Sequence, residues 1–420
     1  MTGGVARALD RFRAADPARY AIARTTPTVA LRPATREEVS EVLRAAALDR
    51  LTIVPWGGGV ALPRERAPGR YDVALDLAGL DRIVEYQPED MTLTAECGAT
   101  LATLRAALAA RGQELALEGA RAERATLGGL LAANASGPRR LRFGAPRDRI
   151  LGARFALGDG TLARTGGRVV KNVAGYAVHR LLCGSRGGLA VLLEASLKLA
   201  PAPARRVALV YGVGARVLGD RARWAGLPRL EPAVLTVVGA ALAPALPVAS
   251  PTDPFTMLIG FEDDDARVHE QVREVERLLG ESDARLEDDS AAALWQALAD
   301  LEDRDGARLT LATADNTPAA LAPLLDQPET ASGAVLHAPA GRLHLFPGPA
   351  RAPRLVETLV RAGFTLIETV VGVDDAAGVA ALEPVIAPQV ALLALRARVR
   401  EALDPAGTMA YGPRWQSGED

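Results

Sequence analysis

Between Gly166 and Leu189 the chain reads Gly-Gly-Arg-Val-Val-Lys-Asn-Val-Ala-Gly-Tyr-Ala-Val-His-Arg-Leu-Leu-Cys-Gly-Ser-Arg-Gly-Gly-Leu, a glycine-punctuated stretch inside Ala-, Leu-, Val- and Arg-rich text. Glycine admits positive φ and lets backbone come close to a ligand. Gly175, Gly184, Gly187 and Gly188, with Asn172, Tyr176 and Ser185 between them, therefore describe backbone wrapped around something flat and polar. An ordinary set of turns is the plain alternative. Two upstream stretches shift that balance. Ile53-Val54-Pro55-Trp56-Gly57-Gly58-Gly59-Val60 runs from a short apolar strand into three glycines, a nest of N–H groups suited to a pyrophosphate. Thr126-Leu127-Gly128-Gly129 through Asn134-Ala135-Ser136-Gly137 adds a second loop, in which small residues allow close approach and Asn134 and Ser136 offer side-chain hydrogen bonds.

Taken together and in this order, these residues resemble the flavoproteins of the vanillyl-alcohol oxidase type, whose FAD-binding domain is also called the PCMH domain. The phrase from Arg168 to Tyr176, the Gly184-Ser185 turn and the chain length look most like the FAD-binding subunit of bacterial glycolate oxidase. The resemblance covers about Leu31 to Pro201, with a fainter echo at Leu403-Asp404-Pro405-Ala406-Gly407. It implies an α+β protein: a two-subdomain PCMH-type FAD-binding domain with an α+β cap, binding FAD non-covalently. Carried over residue by residue, the pyrophosphate would lie on Pro55, Trp56, Gly57, Gly58, Gly59 and Val60. The rest of the dinucleotide and the flavin would lie against Thr126, Leu127, Gly128, Gly129, Asn134, Ser136 and Gly137, and against Lys171, Asn172, Gly175, Tyr176, Gly184, Ser185, Gly187 and Leu189. It further implies a second FAD-containing catalytic subunit and an iron–sulfur subunit as partners. Three positions depart from the family pattern: Val60 after the glycines, Ala177 after Tyr176, and Arg186 inside the Gly-Ser-x-Gly turn.

Composition limits the alternatives. A 420-residue chain, 49% hydrophobic and 24% charged, can bury the cores of two domains. Its 49 basic residues are balanced by 51 acidic ones, which gives no electrostatic reason to expect nucleic acid. Cys97 and Cys183 are too few for a disulfide framework or an iron–sulfur cluster, so any cluster must sit on a partner. No apolar run is long enough to span a bilayer, and Leu235–Ala249 is cut by Pro244 and Pro247. Met1–Arg24 carries no secretory pattern. A cytoplasmic protein is expected, with any membrane association arising through partner subunits.

Along the chain, Thr35-Arg36-Glu37-Glu38 is a capping-box start followed by Val39, Val42, Leu43 and Ala46 on one helical face. With the strand Leu51–Val54 it forms the strand–helix–strand opening that presents phosphate-binding amides at a strand's C-terminal end. Leu75, Leu77 and Ile83-Val84 continue a sheet. Met91–Cys97 alternates apolar and polar residues, as expected of a strand with one covered face, and Cys97 reads as core. Thr100 caps a helix through Leu108. Arg154–Leu162 reads as two short strands around a turn, and Val191–Leu199 as a strand. After Arg205 strands and helices alternate. The expected division is a domain at 1–204 with its core at about 25–201, a cap at 205–384, and a segment at 385–420 that returns to the first domain.

Removing hydride from a 2-hydroxy acid needs a flavin face, a base near the hydroxyl and a cation for the carboxylate. The cap holds His269, His337 and His344, of which His269 reads as a solvated residue on a charged helix. His337-Ala338-Pro339-Ala340-Gly341-Arg342-Leu343-His344 resembles the histidine–glycine–aspartate–glycine–asparagine strand of catalytic subunits that oxidise D-lactate and glycolate, with Ala340 and Arg342 at the aspartate and asparagine positions. Strand alternation puts Arg342, His344 and Phe346 on one face, with Arg342 as candidate carboxylate clamp and His344 as candidate base. A cross-strand polar row on a half-exposed sheet is the alternative. Arg139-Arg140-Leu141-Arg142 reads either as a phosphate or acidic-partner contact or as a solvated loop face, and Trp295 as cap core. Three functions stay open: an FAD-containing oxidoreductase subunit acting in glycolate oxidation, a structural subunit with FAD as a folding core, and a free-standing hydroxy-acid or alditol oxidase.

Overall fold

The computed structural model describes residues 9–409 apart from 15, 23–24, 63–68, 169–174, 250–251, 302–307, 316, 326–330, 332, 339, 347–351 and 371–389. The chain forms two compact units. One comprises Met1–Ala135, Ala145–Ala202 and Gln389–Asp420; the other comprises Ser136–Gly144 and Pro203–Pro388. The short stretch Ser136–Gly144 thus groups with the second unit, inside what reads in sequence as one continuous first domain.

The first unit contains two main sheets. Thr35 caps the helix Arg36–Leu48 in a full capping box, its hydroxyl accepting from the Glu38 N–H while the Glu38 carboxylate accepts from the Thr35 N–H. Val39, Val42, Leu43 and Ala46 bury that helix in a cluster with Leu31, Ile53, Val73 and Leu75. Burial of each Val or Leu contributes about 1.5–3 kcal/mol. The sheet beside it is parallel and three-stranded, in the order Val29–Leu31, Val73–Asp76, Ile53–Trp56. The two strands that flank the helix in sequence are therefore not neighbours, since Val73–Asp76 lies between them.

The second sheet is antiparallel, in the order Ile83–Gln87, Thr92–Glu96, Val191–Lys198, Ile150–Ala156, Leu162–Gly166. Leu75 and Ile83-Val84, which read as one continuing sheet, thus belong to two. The single covered face expected for Met91–Cys97 is also corrected, because every residue of Thr92–Glu96 is buried. Leu93, Ala95 and Cys97 enter the core with Leu101, Leu104 and Leu127. On the other face Thr94 hydrogen-bonds Ser196 at 2.8 Å, and Glu96 accepts from Arg82 at 2.7 Å. Polar residues that pair with one another can be buried without lasting cost, which is why the alternation misleads here. Beyond the helix Val390–Leu403, Asp404 accepts from the N–H groups of Thr408 and Met409, and Ile53 donates to the Thr408 carbonyl at 2.7 Å. The C-terminal segment is thereby stitched to the strand that leads into Gly57.

The second unit is built on one eight-stranded antiparallel sheet, in the order Ala284–Glu287, Arg205–Val213, Phe255–Asp263, Val234–Gly239, Ala334–His337, Arg342–Leu345, Arg308–Ala312, Thr365–Val370. One face carries Leu209, Met257, Leu235, Leu336, Leu343 and Leu309 under the helices Asp265–Leu279 and Ala352–Arg361. The other packs Ala208, Val210 and Leu258 under the helix Asp288–Asp300 through Leu294, Trp295 and Leu298. Trp295 is buried as expected of core, and its indole N–H also donates to Glu262 at 3.0 Å. The short turn Arg140–Phe143 packs against Val234–Gly239 on this unit. Both faces of the sheet are thus apolar over much of their area, and the polar exceptions stand out.

Candidate functional site

In the first unit the strand Ile53–Trp56 ends directly in Gly57, and the three glycine loops converge. A Cβ on Gly58 would lie 1.6 Å from the Arg124 carbonyl oxygen, and Gly59 has φ +71, so neither position accepts a side chain without moving the loop. Arg124 returns a hydrogen bond from its guanidinium to the Gly58 carbonyl at 2.9 Å. Among the described residues nothing accepts from the N–H groups of Gly57, Gly58 or Gly59. Three consecutive donors beside one another fit a diphosphate. Pro55, Trp56 and Val60 flank them, each half-buried.

The second loop does different work from the first. Thr126 caps the helix Leu127–Ala133 and accepts from the Gly129 N–H at 3.2 Å, while the Gly128 N–H donates to the Cys97 carbonyl at 2.7 Å and the Leu127 N–H to Ala99 at 2.9 Å. These amides are satisfied within the chain, and the loop's part is to bring Thr126 and Arg124 against Gly57 and Gly58. Asn134 ends the helix at φ +48, and its side-chain oxygen accepts from the Arg147 N–H at 3.1 Å. Ser136 and Gly137 are buried in the second unit, where the Ser136 hydroxyl accepts from Arg140 at 2.8 Å.

The third loop is tied to both others. The Gly184 N–H donates to Leu131 and the Arg186 N–H to Ala132; the Arg186 side chain donates to the Ala61 carbonyl at 3.1 Å; Gly187 lies against Pro55. Arg186, a departure from the family pattern, is thus a brace between two loops. Ser185 is buried, Leu189 is half-buried, Gly175 has φ +76, and Tyr176 is 92% exposed with its carbonyl accepting from Thr165. Lys171 and Asn172 lie outside the described residues. Burial pushes both thiols up, Cys183 to about 12, so neither presents a thiolate for a covalent bond to a flavin.

In the second unit the polar row is built by strand register. His337 stands opposite both Thr236 and Arg342, and His344 opposite Thr310. The His337 Nδ1 lies 2.8 Å from the Thr236 hydroxyl and the His344 Nδ1 3.1 Å from the Thr310 hydroxyl, with the two imidazoles edge to face at 5.6 Å. Each histidine is only 2% exposed, so the half-exposed sheet expected for this row is corrected to a buried one. Burial, aided by Arg342 and Arg140, pushes His337 down to about 3. Burial, His337, Arg308 and Arg342 push His344 well below its ordinary value. Both rings are neutral at physiological pH, and His344 is a weak proton acceptor. His269, by contrast, is solvated beside Asp265.

Thr236, Thr310 and Arg308 escaped the sequence reading. The available signal was a lone threonine within the apolar runs Val234–Gly239 and Arg308–Ala312. Two arginines of the basic run Arg139–Arg142 find acids within this chain. Arg139 pairs with Glu262 at 3.1 Å, both side chains buried, and Arg142 pairs with Asp263 at 2.9 Å. For Arg139 that overturns both the solvated-face reading and the external-partner reading. Among the described residues no cluster of three or more His, Cys, Asp or Glu could hold a metal ion, and no helix is long and apolar enough to cross a membrane.

Comparison with known proteins agrees with the loop geometry. Residues 27–166 match the FAD binding domain family. The chain is 45% identical over 128 residues to glycolate oxidase subunit GlcE of Escherichia coli, covering 30% of this chain and 37% of that protein. It is 31% identical over 184 residues to glycolate oxidase subunit GlcD of Bacillus subtilis, covering 44% of this chain and 39% of that one. The match therefore spans about two-fifths of each relative's length. The fold is that of alkyldihydroxyacetonephosphate synthase, with TM-score 0.68, 17% identity, and coverage of 99% of this chain and 85% of the other.

Proposed function

Because this chain carries a PCMH-type FAD-binding domain and its cofactor is FAD, we propose that it is an FAD-dependent oxidoreductase subunit in the oxidation of glycolate, or of a related 2-hydroxy acid such as D-lactate, to the 2-oxo acid. It would pass electrons within a complex that includes a second FAD-containing catalytic subunit and an iron–sulfur subunit. The observation that carries the reading is the Gly57–Gly59 row of amides, braced by Arg124 and Arg186 and left with donors for a diphosphate. Pro55–Val60, Thr126–Gly129, Asn134 and Gly184–Leu189 are the described residues proposed to hold FAD, with Lys171, Asn172, Gly175 and Tyr176 proposed on the resemblance. FAD, when bound, supplies the hydride acceptor.

The second unit's part is to handle the acid. Arg342 is the proposed carboxylate anchor, and His344 the proton acceptor if the chain oxidises substrate itself. The weak basicity of His344 favours the accessory role, since a general base works best with a pKa near the working pH. Steady-state assays with artificial electron acceptors decide between these. The isolated chain is expected to turn over glycolate and D-lactate poorly, and activity is expected to appear when the partner subunits are added. Robust turnover by the chain alone that collapses in Arg342→Ala and His344→Ala would overturn the accessory reading in favour of a free-standing oxidase. Restoration of complex activity by chain unable to bind FAD would leave a structural role.

A further inference from the structure

One residue grips the first glycine loop at Gly58 from two sides. The Arg124 guanidinium donates to the Gly58 carbonyl at 2.9 Å, and the Arg124 carbonyl oxygen lies against the Gly58 Cα, 1.6 Å from where a Cβ would stand. Arg124 is itself fixed by a turn. Its N–H and that of Ala125 both donate to the Arg121 carbonyl at 2.8 Å, the Ala125 carbonyl accepts from the Leu101 N–H at 2.8 Å, and Thr126 caps the next helix. The side chain that reaches Gly58 therefore starts from an immobile post.

A trans peptide is planar, with its carbonyl and its N–H pointing to opposite sides. By holding the Gly58 carbonyl, Arg124 also sets the direction of the Gly59 N–H, which points away from the guanidinium. Among the described residues nothing accepts from that N–H. The Gly58–Gly59 peptide is otherwise easy to turn over, because rotation of Gly58 ψ against Gly59 φ meets no Cβ on either side. A turned peptide would put a carbonyl oxygen where a donor is needed, and an anion cradle works only through its N–H groups. Arg186, from the third loop, takes the Ala61 carbonyl at 3.1 Å, so at both places a guanidinium occupies a carbonyl of this loop.

Resting on the reading of this loop as the diphosphate cradle, we propose that Arg124 is a positioning residue for the cofactor: its guanidinium locks the Gly58–Gly59 peptide in the orientation that presents the Gly59 N–H to the diphosphate of FAD. Arg124 acts from the far side of that peptide and needs no contact with the ligand. Removing the competing orientation from the free chain raises affinity by preorganisation. The hydrogen bond is charge-assisted, which suits it to hold a peptide that glycine leaves loose.

Calorimetric titration of the full chain, freed of FAD, with ADP tests this without turnover, adenosine serving as the probe that lacks the diphosphate. Arg124→Met should weaken ADP and FAD about tenfold, the scale of one hydrogen bond from a charged donor, and leave adenosine unchanged. Arg124→Lys should recover part of the loss. Arg70→Met removes the same charge at the other end of the parallel sheet, where Arg70 pairs with Asp72, and should leave ADP binding unchanged. Magnetic resonance of isotope-labelled glycine amides in the ligand-free chain reads the lock itself. The Gly59 amide should give one sharp resonance in the wild type and a doubled or exchange-broadened one in Arg124→Met, in a chain that remains folded. Unchanged ADP affinity in Arg124→Met, or weaker ADP binding with a single sharp Gly59 resonance, would overturn the proposal and leave the cradle standing. A wild-type chain that binds ADP no better than adenosine would sink the cradle reading and the proposal with it. Arg124-dependent ADP binding in a chain that supports no 2-hydroxy-acid oxidation, alone or with partners, would sink the proposed function and leave the lock.

Discussion

Replacing Glu262 by alanine is the most informative single perturbation of the second unit. Its side chain is 1% exposed and accepts from Arg139 Nη1 at 3.1 and 3.3 Å, from Arg206 Nε at 3.2 Å and from Trp295 Nε1 at 3.0 Å. Removing the carboxylate strands the buried Arg139 charge without its counter-ion and costs the indole its acceptor. Breaking a buried pair by deleting one partner typically destabilises by about 3–5 kcal/mol. With a urea m value of about 2 kcal/mol/M, the unfolding midpoint should fall by about 1.5–2.5 M. Urea unfolding of the full chain followed by tryptophan emission measures it, Trp295 being a direct neighbour of the site. The partner experiment is Arg139→Met with Glu262→Met. If the single variant is costly because it leaves a charge behind, the double variant should lose clearly less than the sum of the two singles. A Glu262→Ala loss under about 1 kcal/mol, or strict additivity in the cycle, would refute the argument.

Other expectations follow from the same geometry. Gly58→Ala should displace the first loop, because its Cβ would meet the Arg124 carbonyl at 1.6 Å, and FAD occupancy after purification should drop to a small fraction of wild type; a folded variant with full flavin would reject the loop assignment. His337 titrates at about 3 when folded and near 6.5 when unfolded, so between those values the unfolded chain binds the extra proton and stability falls as pH falls. The slope approaches about 1.4 kcal/mol per pH unit for each such histidine, and pH-dependent unfolding of the His337→Gln and His344→Gln variants should show a flatter acid limb. Asp404→Ala removes the acceptor for two backbone N–H groups and should cost about 1–3 kcal/mol, read as a lower Tm of the full chain.

Local elements were legible where one principle decided them. The Thr35 capping box and the Thr100 cap each give a short-range signal, and each forms where expected. Reading failed where long-range pairing decided. Nothing near Thr92 or Thr94 announces Ser196, a hundred residues on, so a strand buried on both faces looked half-covered. Insertion of Val73–Asp76 between two earlier strands is likewise invisible to local pattern. The glycine loops were readable as a ligand cradle, yet their division of labour was not: whether an amide is free or satisfied depends on carbonyls such as that of Cys97, which only the fold brings near. The His337–His344 segment was found by its motif, although it spans two paired strands, Ala334–His337 and Arg342–Leu345, and Thr236 and Thr310 join it from distant strands. The acids that pair with Arg139 and Arg142 lie more than a hundred residues away.

The flavin content of the purified chain tests the central claim most directly. The account predicts a yellow protein with FAD bound near one per chain and released into the supernatant by acid precipitation. A colourless protein that takes up no added FAD, or colour that stays with the acid pellet, would contradict it.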